Sequence, residues 1–337
     1  MAETEAKNFI KGGAFLIQDA EPNEIFVPED FSEEQQMMAQ ATTEFIERDV
    51  LPQRERFEQK DYAFTEGIMK KAGEQGLLGI SVPEEYGGLG MDFNTSMLVC
   101  DRISGISGSL STAFGAHTGI GTLPILLYGS EAQRQKYLPK LASGEWMGAY
   151  CLTEPGAGSD ANSGKTRAEL SEDGQHYRIN GQKIWISNAG FADLFTVFAR
   201  IEDDKYLTAF LVERGNEGMS FGEEEKKLGI HASSTRQVFF NDCLVPVENM
   251  LGERNGGFKI AMNALNYGRI KLAVACLEAA RRVTTLSVQY ARERHQFGQA
   301  IASFGAIQQK IAEMATRTWV AESATYRAGQ DIENHIN

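Results

Sequence analysis

The chain has 337 residues, of which 42% are hydrophobic and 23% are charged. These proportions are typical of a globular protein, and the length is sufficient for two or three domains. Lys and Arg total 33 against 46 Asp and Glu, which gives a net charge of -13. This balance argues against a general nucleic-acid binder and disfavours adsorption to an anionic membrane, because both require a basic surface.

The sequence shows no recognisable targeting peptide and no paired cysteine motif. The first twenty residues carry a three-residue apolar run, Phe15 to Ile17, and no signal or transit peptide is visible. We see no apolar run near the ~20 residues of a membrane helix. The four cysteines, Cys100, Cys151, Cys243 and Cys276, form no C-x-x-C pair and are typical of reduced thiols. The sequence therefore predicts a cytoplasmic protein without a transmembrane segment.

The N-terminal part of the chain has helical patterns. Residues 1–30 show no clear hydrophobic period and are predicted to be an extension. Ser32 and Gln35 have the spacing of a capping box, which predicts a helix that ends near Leu51 and Pro52. Helical patterns then recur, and we predict an N-terminal α-helical domain over residues 31–146.

Short strand patterns replace the helices over residues 147–252, which predicts a middle β domain, a barrel or a sandwich. Asn180-Gly181 lies between two strand-like runs and predicts a hairpin with a tight turn. Further strands are predicted over residues 194–199, 207–212 and 237–240. The overall fold class is α+β multidomain.

Helical spacing returns over residues 253–337, the predicted start of a C-terminal α-helical bundle, with a second long helix from residue 304 to about 328. Apolar residues at three-four spacing predict one buried helix face: Phe258, Met262, Leu265, Leu272, Cys276, Ala279, Val283, Leu286 and Tyr290. Arg269 falls on this face between Leu265 and Leu272. A buried guanidinium needs a partner, so an internal salt bridge, a snorkelling side chain or a bound anion are the alternatives.

The segment 150–160 combines hydroxyl groups with Pro155, Gly156 and Gly158, and such a segment lets backbone N–H groups approach a polar ligand. Together with the segments 185–187, 266–269 and 294–298, in this order, it resembles the acyl-CoA dehydrogenase family. Residues 115–117, 138–145 and 264–269 resemble the very-long-chain branch of that family most closely. The resemblance implies that FAD is the cofactor and that the protein forms a homo-oligomer, because the segment 294–298 resembles one that reaches across a subunit interface to the partner's flavin.

The resemblance also implies the residues of the site. The expected cofactor contacts are Tyr150, Leu152, Thr153, Trp185, Ser187, Arg294, Gln296 and Phe297. The expected substrate contacts are Ser159, Asn266, Tyr267 and Arg269. From the residues alone, ordinary roles stay open: turn and strand-end positions for the hydroxyls, a core position for Trp185, and interaction with a helix dipole for Arg294.

The implied reaction is FAD-dependent α,β-dehydrogenation of a fatty acyl-CoA to trans-2-enoyl-CoA in fatty acid β-oxidation, with an electron-transfer flavoprotein as acceptor. The resemblance places residues 115–121 where the family's acyl pocket ends. Small residues there would leave a deeper apolar cavity for a long acyl chain, or they allow close helix packing.

No catalytic residue is assigned. The family's catalytic Glu is expected beyond the end of this chain, which is interpreted as C-terminally truncated, and Gly268 closes the family's other position for the base. The alternatives are a non-catalytic flavin- or acyl-CoA-binding relative with an assembly or sensing role, and an acyl-CoA oxidase.

Overall fold

The computed structural model describes residues 12–336, with side chains described over residues 12–333. Helices account for 52% of the chain and strands for 19%. The elements run from helices through strands back to helices, which confirms the predicted fold class. Of the extension predicted over residues 1–30, residues 1–11 lie outside the described part.

The α-helices of the described chain are α1 Glu33–Phe45, α2 Arg54–Glu58, α3 Tyr62–Glu74, α4 Phe93–Ser104, α5 Gly108–Gly115, α6 Leu123–Tyr128, α7 Glu131–Ser143, α8 Gly257–Val274, α9 Leu277–Glu293 and α10 Gly305–Ile336. The strands are β1 Gly148–Cys151, β2 Arg167–Leu170, β3 His176–Ser187, β4 Leu194–Ile201, β5 Thr208–Glu213, β6 Met219–Glu224, β7 Thr235–Pro246, β8 Met250–Leu251, β9 His295–Gln296 and β10 Gln299–Ala300.

Spatial contacts divide the described chain into two compact units. The first contains residues 12–47, Asp92–Ser107 and residues 270–336, and the second contains Arg48–Met91 and Gly108–Arg269. The domain boundaries predicted at residues 30, 146 and 252 stay a prediction, because this division follows proximity rather than order along the chain.

The second unit is built on an eight-stranded sheet. Its order is β6-β7-β3-β2-β4-β5-β8, and β1 pairs in parallel with β4. Strand β4 is buried over nearly its whole length, and its Phe198 belongs to a core that also contains Ile260 and Ala264 from the start of α8. This core holds the first turns of α8 within the same unit as the end of β1.

The hairpin predicted at Asn180-Gly181 is wrong. Strand β3 is one continuous strand of twelve residues, and residues on both sides of Gly181 pair antiparallel with β7. A Cβ atom at Gly181 would lie 2.5 Å from Oγ1 of Thr166. The glycine therefore permits a close approach between neighbouring segments. From sequence alone, a glycine with this role looks the same as the glycine of an Asn-Gly turn.

The buried helix face predicted over residues 258–290 is also wrong in its second half. Helix α8 ends at Val274 and α9 begins at Leu277, so the residues do not share one helix. Within the described chain Leu272, Cys276, Val283, Leu286 and Tyr290 are exposed. Helix α9 instead turns a charged face inward.

That inward face is held by a buried ionic network in the first unit. Asp101 on α4 is fully buried, and its carboxylate accepts hydrogen bonds from the guanidinium of Arg281 on α9 and from the hydroxyl of Tyr326 on α10, the latter at 3.0 Å. It also accepts the backbone N–H of Glu278 at 2.7 Å. Arg281 pairs in addition with Glu322 of α10 at 2.7 Å. The network joins α4, α9 and α10. Because the side of α9 that carries Arg281 faces α4 and α10, the apolar stripe of α9, formed by Val283, Leu286 and Tyr290, faces outward.

The described part of the predicted extension packs on α10. The ring of Phe26 stacks on Tyr326 with centroids 5.6 Å apart, and Phe31 meets the same ring edge-on at 4.8 Å. The capping box of α1 is confirmed, since Ser32 and Gln35 exchange hydrogen bonds at 3.0 and 3.2 Å. Phe26, which is buried, and Phe31 thus pack in the first unit.

One stretch, Gly108–Tyr128, is long and apolar enough to cross a membrane by length and composition. An 18-residue window within it has a mean hydropathy of 1.2, and 56% of that window is buried in the fold. This stretch does not contradict the expectation of no transmembrane segment. A buried core helix has the same length and composition, so this feature is weak evidence for a membrane span.

Replacing Asp101 with Asn tests the network. The variant leaves Arg281 facing a weaker acceptor, and we expect the free energy of unfolding to fall by about 2 kcal/mol in urea titrations. Arg317→Ala, which removes an exposed ion pair with Glu313 on α10, should change it by less than about 0.5 kcal/mol. Equal effects of the two variants would contradict a stabilising role for the buried network.

Candidate functional site

The second unit contains a cavity of about 310 Å³ next to the segment 150–160. This volume lies at the lower end of the range for small-molecule sites. Three sections of chain line it, namely the loop after β1, the end of β3 and one side of α8. The lining residues are Ile120, Tyr150, Leu152, Thr153, Gly158, Ser159, Ala161, Trp185, Ile186, Ser187, Met262, Leu265 and Arg269.

The loop after β1 borders the cavity through Thr153, Gly158 and Ser159. Glu154 and Ala157 exchange two backbone hydrogen bonds of 3.0 Å, which places Pro155 and Gly156 at the tip of a tight turn. A Cβ atom built at Gly156 or at Gly158 would meet nothing within 4 Å. A ligand can therefore reach the backbone here, and any larger side chain would occupy space open to that ligand.

The end of β3 is irregular where it meets the cavity. Its register with β7 shifts between Lys183 and Ile186, and Trp185 within this bulge has φ +60°. The left-handed region is unfavourable for a bulky residue, and such strain is concentrated at functional sites. The bulge leaves the Trp185 side chain 56% exposed while Ile186 is buried.

Trp185 and Ser187 also line a second cavity of about 480 Å³, which Lys227, Leu228 and Ile230 border on the other side. The end of β3 therefore separates two neighbouring cavities in this unit. A ligand with two parts could occupy both by passing Trp185.

A buried ion pair lies beneath the loop. Lys183 is fully buried and Glu154 is 6% exposed, and Nζ of Lys183 lies 2.7 Å from Oε1 of Glu154. Burial raises the pKa of the Glu154 carboxyl, but the charge and hydrogen bond of Lys183, together with hydrogen bonds from Lys165 and Thr166, outweigh burial and hold this pKa below its usual range. Burial also lowers the pKa of Lys183, and Glu154 opposes that shift.

Helix α8 supplies the third wall. The hydroxyl of Tyr150 donates to the carbonyl oxygen of Ala261 at 3.1 Å, which fixes β1 to the helix, and burial raises the pKa of Tyr150 far above its usual value. Met262, Leu265 and Arg269 follow at helical spacing along the lining.

Arg269 lies on the predicted apolar helix face without being buried there. Its side chain is exposed, and Nη1 donates to Oδ1 of Asn266 at 2.8 Å. The guanidinium borders the open cavity rather than packed core, which accounts for a charge on an otherwise apolar side of the helix.

The structure brings seven of the twelve predicted site residues to one cavity: Tyr150, Leu152, Thr153, Ser159, Trp185, Ser187 and Arg269. Asn266 does not line the cavity but accepts a hydrogen bond from Arg269, which does. Tyr267 is half-buried on α8 and does not line the cavity. Arg294, Gln296 and Phe297 belong to the first unit, where they are exposed at the connection between α9 and α10. The roles of all twelve residues stay predictions.

Sequence reasoning missed three residues that support the cavity. Lys183 and Glu154 form the buried pair, and Lys183 could have been noticed as a charge on the side of β3 that buries Ile179. The third is His117, whose Nε2 lies 3.0 Å from the carbonyl oxygen of Leu141 while Nδ1 accepts the N–H of Gly148 at 3.0 Å. A Cβ at Gly121 would lie 2.9 Å from Gly148, so close packing against β1 accounts for a small residue at that position.

The chemistry of the lining is specific. It offers the hydroxyls of Thr153, Ser159 and Ser187, one guanidinium and an apolar wall, and among the described residues no carboxylate or imidazole lines it. The arrangement can hold a polar ring system and an anionic group, but it presents no group that would accept a proton near neutral pH.

Replacing Trp185 with Gly should leave stability almost unchanged. Glycine relieves the left-handed strain but increases the entropy of the unfolded chain, so we expect a change below about 1 kcal/mol in the free energy of unfolding. Ile186→Ala in the same bulge removes a buried side chain and should cost about 3 kcal/mol. Unfolding of Trp185→Gly at ambient temperature would contradict this expectation, because the packing of the indole would then outweigh the backbone strain.

Replacing Glu154 with Gln should destabilise the protein in a pH-dependent manner. Because the folded-state pKa of Glu154 is lowered, its contribution is complete above the unfolded value of about 4.3 and is lost as pH falls through the folded value. We expect a loss of about 3 kcal/mol at pH 7, and the difference from wild type should shrink as pH falls below about 4. A difference that is constant with pH would contradict the ionised pair.

Models of the N-terminal, middle and C-terminal domains of acyl-CoA dehydrogenases match residues 32–145, 149–243 and 255–337. A probable acyl-CoA dehydrogenase of Bacillus subtilis (strain 168) is 50% identical over 333 residues, which are 99% of this chain and 56% of that protein. The mitochondrial very long-chain specific acyl-CoA dehydrogenase of Macaca fascicularis is 43% identical over 88% of this chain and 48% of its own length.

A crystal structure of an acyl-CoA dehydrogenase complexed with FAD from Bacillus anthracis superposes with a TM-score of 0.91 at 48% identity, and the match covers 96% of this chain and 55% of that one. The chain thus spans about half the length of these relatives. Because the three matched models account for most of its residues, the chain belongs to the acyl-CoA dehydrogenase family.

Proposed function

We propose that this chain forms the flavin- and substrate-binding part of an enzyme that dehydrogenates a fatty acyl-CoA thioester to trans-2-enoyl-CoA, as a step of fatty acid β-oxidation. The observation that carries the proposal is the cavity in which Thr153, Ser159, Trp185, Ser187 and Arg269 meet. These hydroxyl, indole and guanidinium groups come from sections far apart in sequence.

The residues present fit FAD. The two cavities that meet at Trp185 and Ser187 suit a ligand with a ring system and a long second part, and the open backbone at Gly156 and Gly158 suits its polar atoms. Bound FAD would supply the acceptor for a hydride. Thr153, Trp185 and Ser187 would hold its ring system, with Leu152 and Tyr150 as the wall behind it, since the Tyr150 hydroxyl is already engaged with Ala261.

The chain's own groups would bind and orient. Hydroxyl donors from Thr153 and Ser187 would favour negative charge that develops on a ring beside them. The guanidinium of Arg269, fixed by Asn266, would attract an anionic part of the substrate, and Ser159 would complete that contact. Tyr267, which follows Asn266 on α8 outside the lining, is proposed to contact a part of the substrate that extends beyond the cavity. The α-proton of the thioester would leave to a carboxylate that the described lining does not contain.

A long acyl chain is the substrate class that we propose. Ile120, Met262 and Leu265 form an apolar wall of the cavity, and apolar walls stabilise bound methylene groups in proportion to the area that they cover. The likeness to the very long-chain specific enzyme supports the same proposal.

The proposed partners are a second copy of the chain and an electron-transfer flavoprotein as electron acceptor. Phe297 is 94% exposed, and Arg294 and Gln296 are exposed beside it, so all three are available to a neighbouring subunit. All four cysteines are free thiols, which supports a reducing compartment, and we place the protein in the cytoplasm.

The test is an anaerobic titration of the purified chain, first with FAD and then with palmitoyl-CoA, followed by the visible absorption of the flavin. We expect stoichiometric FAD binding and a shift of the flavin spectrum by palmitoyl-CoA without bleaching, because the described lining holds no base. Arg269→Ala should weaken palmitoyl-CoA binding about tenfold, the equivalent of one charge-assisted contact, whereas the remote Arg317→Ala should not.

A chain that binds no FAD would overturn the proposal. Binding that weakens from butyryl-CoA to palmitoyl-CoA would overturn the long-chain assignment. Admission of air after any bleaching separates the alternatives, because rapid peroxide formation would indicate an acyl-CoA oxidase. A non-catalytic binding relative would give no bleaching even after an excess of a soluble carboxylate such as formate is added as a base.

A further inference from the structure

The buried pair of Lys183 and Glu154 holds three sections of chain at one point. Nζ of Lys183 donates to Oε1 of Glu154 at 2.7 Å and to the carbonyl oxygen of Leu152 at 3.2 Å. The carboxylate of Glu154 also accepts the backbone N–H groups of Lys165 at 2.5 Å and Thr166 at 3.1 Å. The start of the loop, its end and strand β3 are therefore fixed to each other.

Two of these sections, the start of the loop and strand β3, continue into walls of the cavity. Leu152 and Thr153 line it directly and lie beside Glu154, and the carbonyl oxygen of Thr153 accepts the N–H of Ile184 at 2.9 Å. Lys183 stands two residues before Trp185, at the start of the bulge. Any shift of Lys183 relative to Glu154 would change the spacing between the loop hydroxyls and the end of β3.

This pair differs from the other Lys and Arg ion pairs described in the second unit. In each of those, the cation is at least 32% exposed, whereas Lys183 is not exposed at all. A buried pair adds little stability over an apolar pair of the same volume, because desolvation offsets the attraction. Its hydrogen bonds are directional, however, and restrict the sections that they join to one arrangement.

We propose that the Lys183–Glu154 pair is a positioning element of the cavity, which sets the loop after β1 against the bulged end of β3 in the arrangement that binds the flavin. The inference rests on the proposed function. Neither residue lines the cavity, so both act through Leu152, Thr153 and Trp185.

The experiment compares Lys183→Met, Glu154→Gln and the double variant with wild type. The dissociation constant of FAD is measured by quenching of its fluorescence, and the bound flavin is compared by visible circular dichroism. We expect each single variant to bind FAD at least tenfold more weakly and to change the dichroism of the bound flavin. The double variant should bind as weakly as the singles, because it removes the unpaired charge without restoring the hydrogen bonds.

Asp101→Asn is the matched control, since it perturbs a buried ion pair in the other unit. It should lower the thermal midpoint and leave the FAD dissociation constant within twofold of wild type. Glu154→Gln is nearly isosteric and keeps the comparison valid if Lys183→Met does not fold.

Recovery of FAD binding in the double variant would overturn the inference, because the singles would then act only through an uncompensated charge. Unchanged binding and dichroism in every variant would overturn it and leave the proposed function standing. A wild-type chain that binds no FAD would overturn the proposed function itself, and this inference with it.

Discussion

Strand β3 pairs with β7 from end to end, yet it shifts register twice, between Ile179 and Gly181 and between Lys183 and Ile186. The first shift lies where Gly181 lets Thr166 approach the strand. The second turns Trp185 out of the pleat with a left-handed backbone. Successive side chains of a regular strand point to opposite faces, so residues two apart, such as Lys183 and Trp185, would share one face. The second shift instead leaves Lys183 buried and Trp185 exposed. The geometry of the cavity depends on this one irregular pairing.

Buried charge organises both units in the same way. In the first unit, the carboxylate of Asp101 accepts hydrogen bonds from Arg281 and Tyr326. In the second unit, the carboxylate of Glu154 accepts hydrogen bonds from Lys183 and from two backbone N–H groups. In each case one carboxylate accepts hydrogen bonds from several elements, which offsets the cost of removing it from water. Such contacts define orientation more narrowly than apolar packing does, since they weaken steeply with angle.

Much of the fold could be predicted from periodicity. The change from helices to strands near residue 146, the strands over residues 194–199 and 237–240, and the cap at Ser32 all reflect local preferences that the structure keeps. The outward stripe of α9 could not be predicted, because its orientation depends on Asp101, which lies 180 residues from Arg281. The cavity could be located from the sequence because seven of the motif residues line it. Lys183 was not recognised because a lysine in a strand usually faces water.

The outward stripe of α9 has a practical consequence. Val283, Leu286 and Tyr290 present large apolar surfaces on one side of the helix, and each is more than half exposed in the described chain. Contiguous patches of this kind attract other apolar surfaces, and sulfate or phosphate strengthens that attraction by being excluded from the protein surface. The concentration at which the chain stays monodisperse will therefore fall as such salts are added, even under conditions where the folded state becomes more stable.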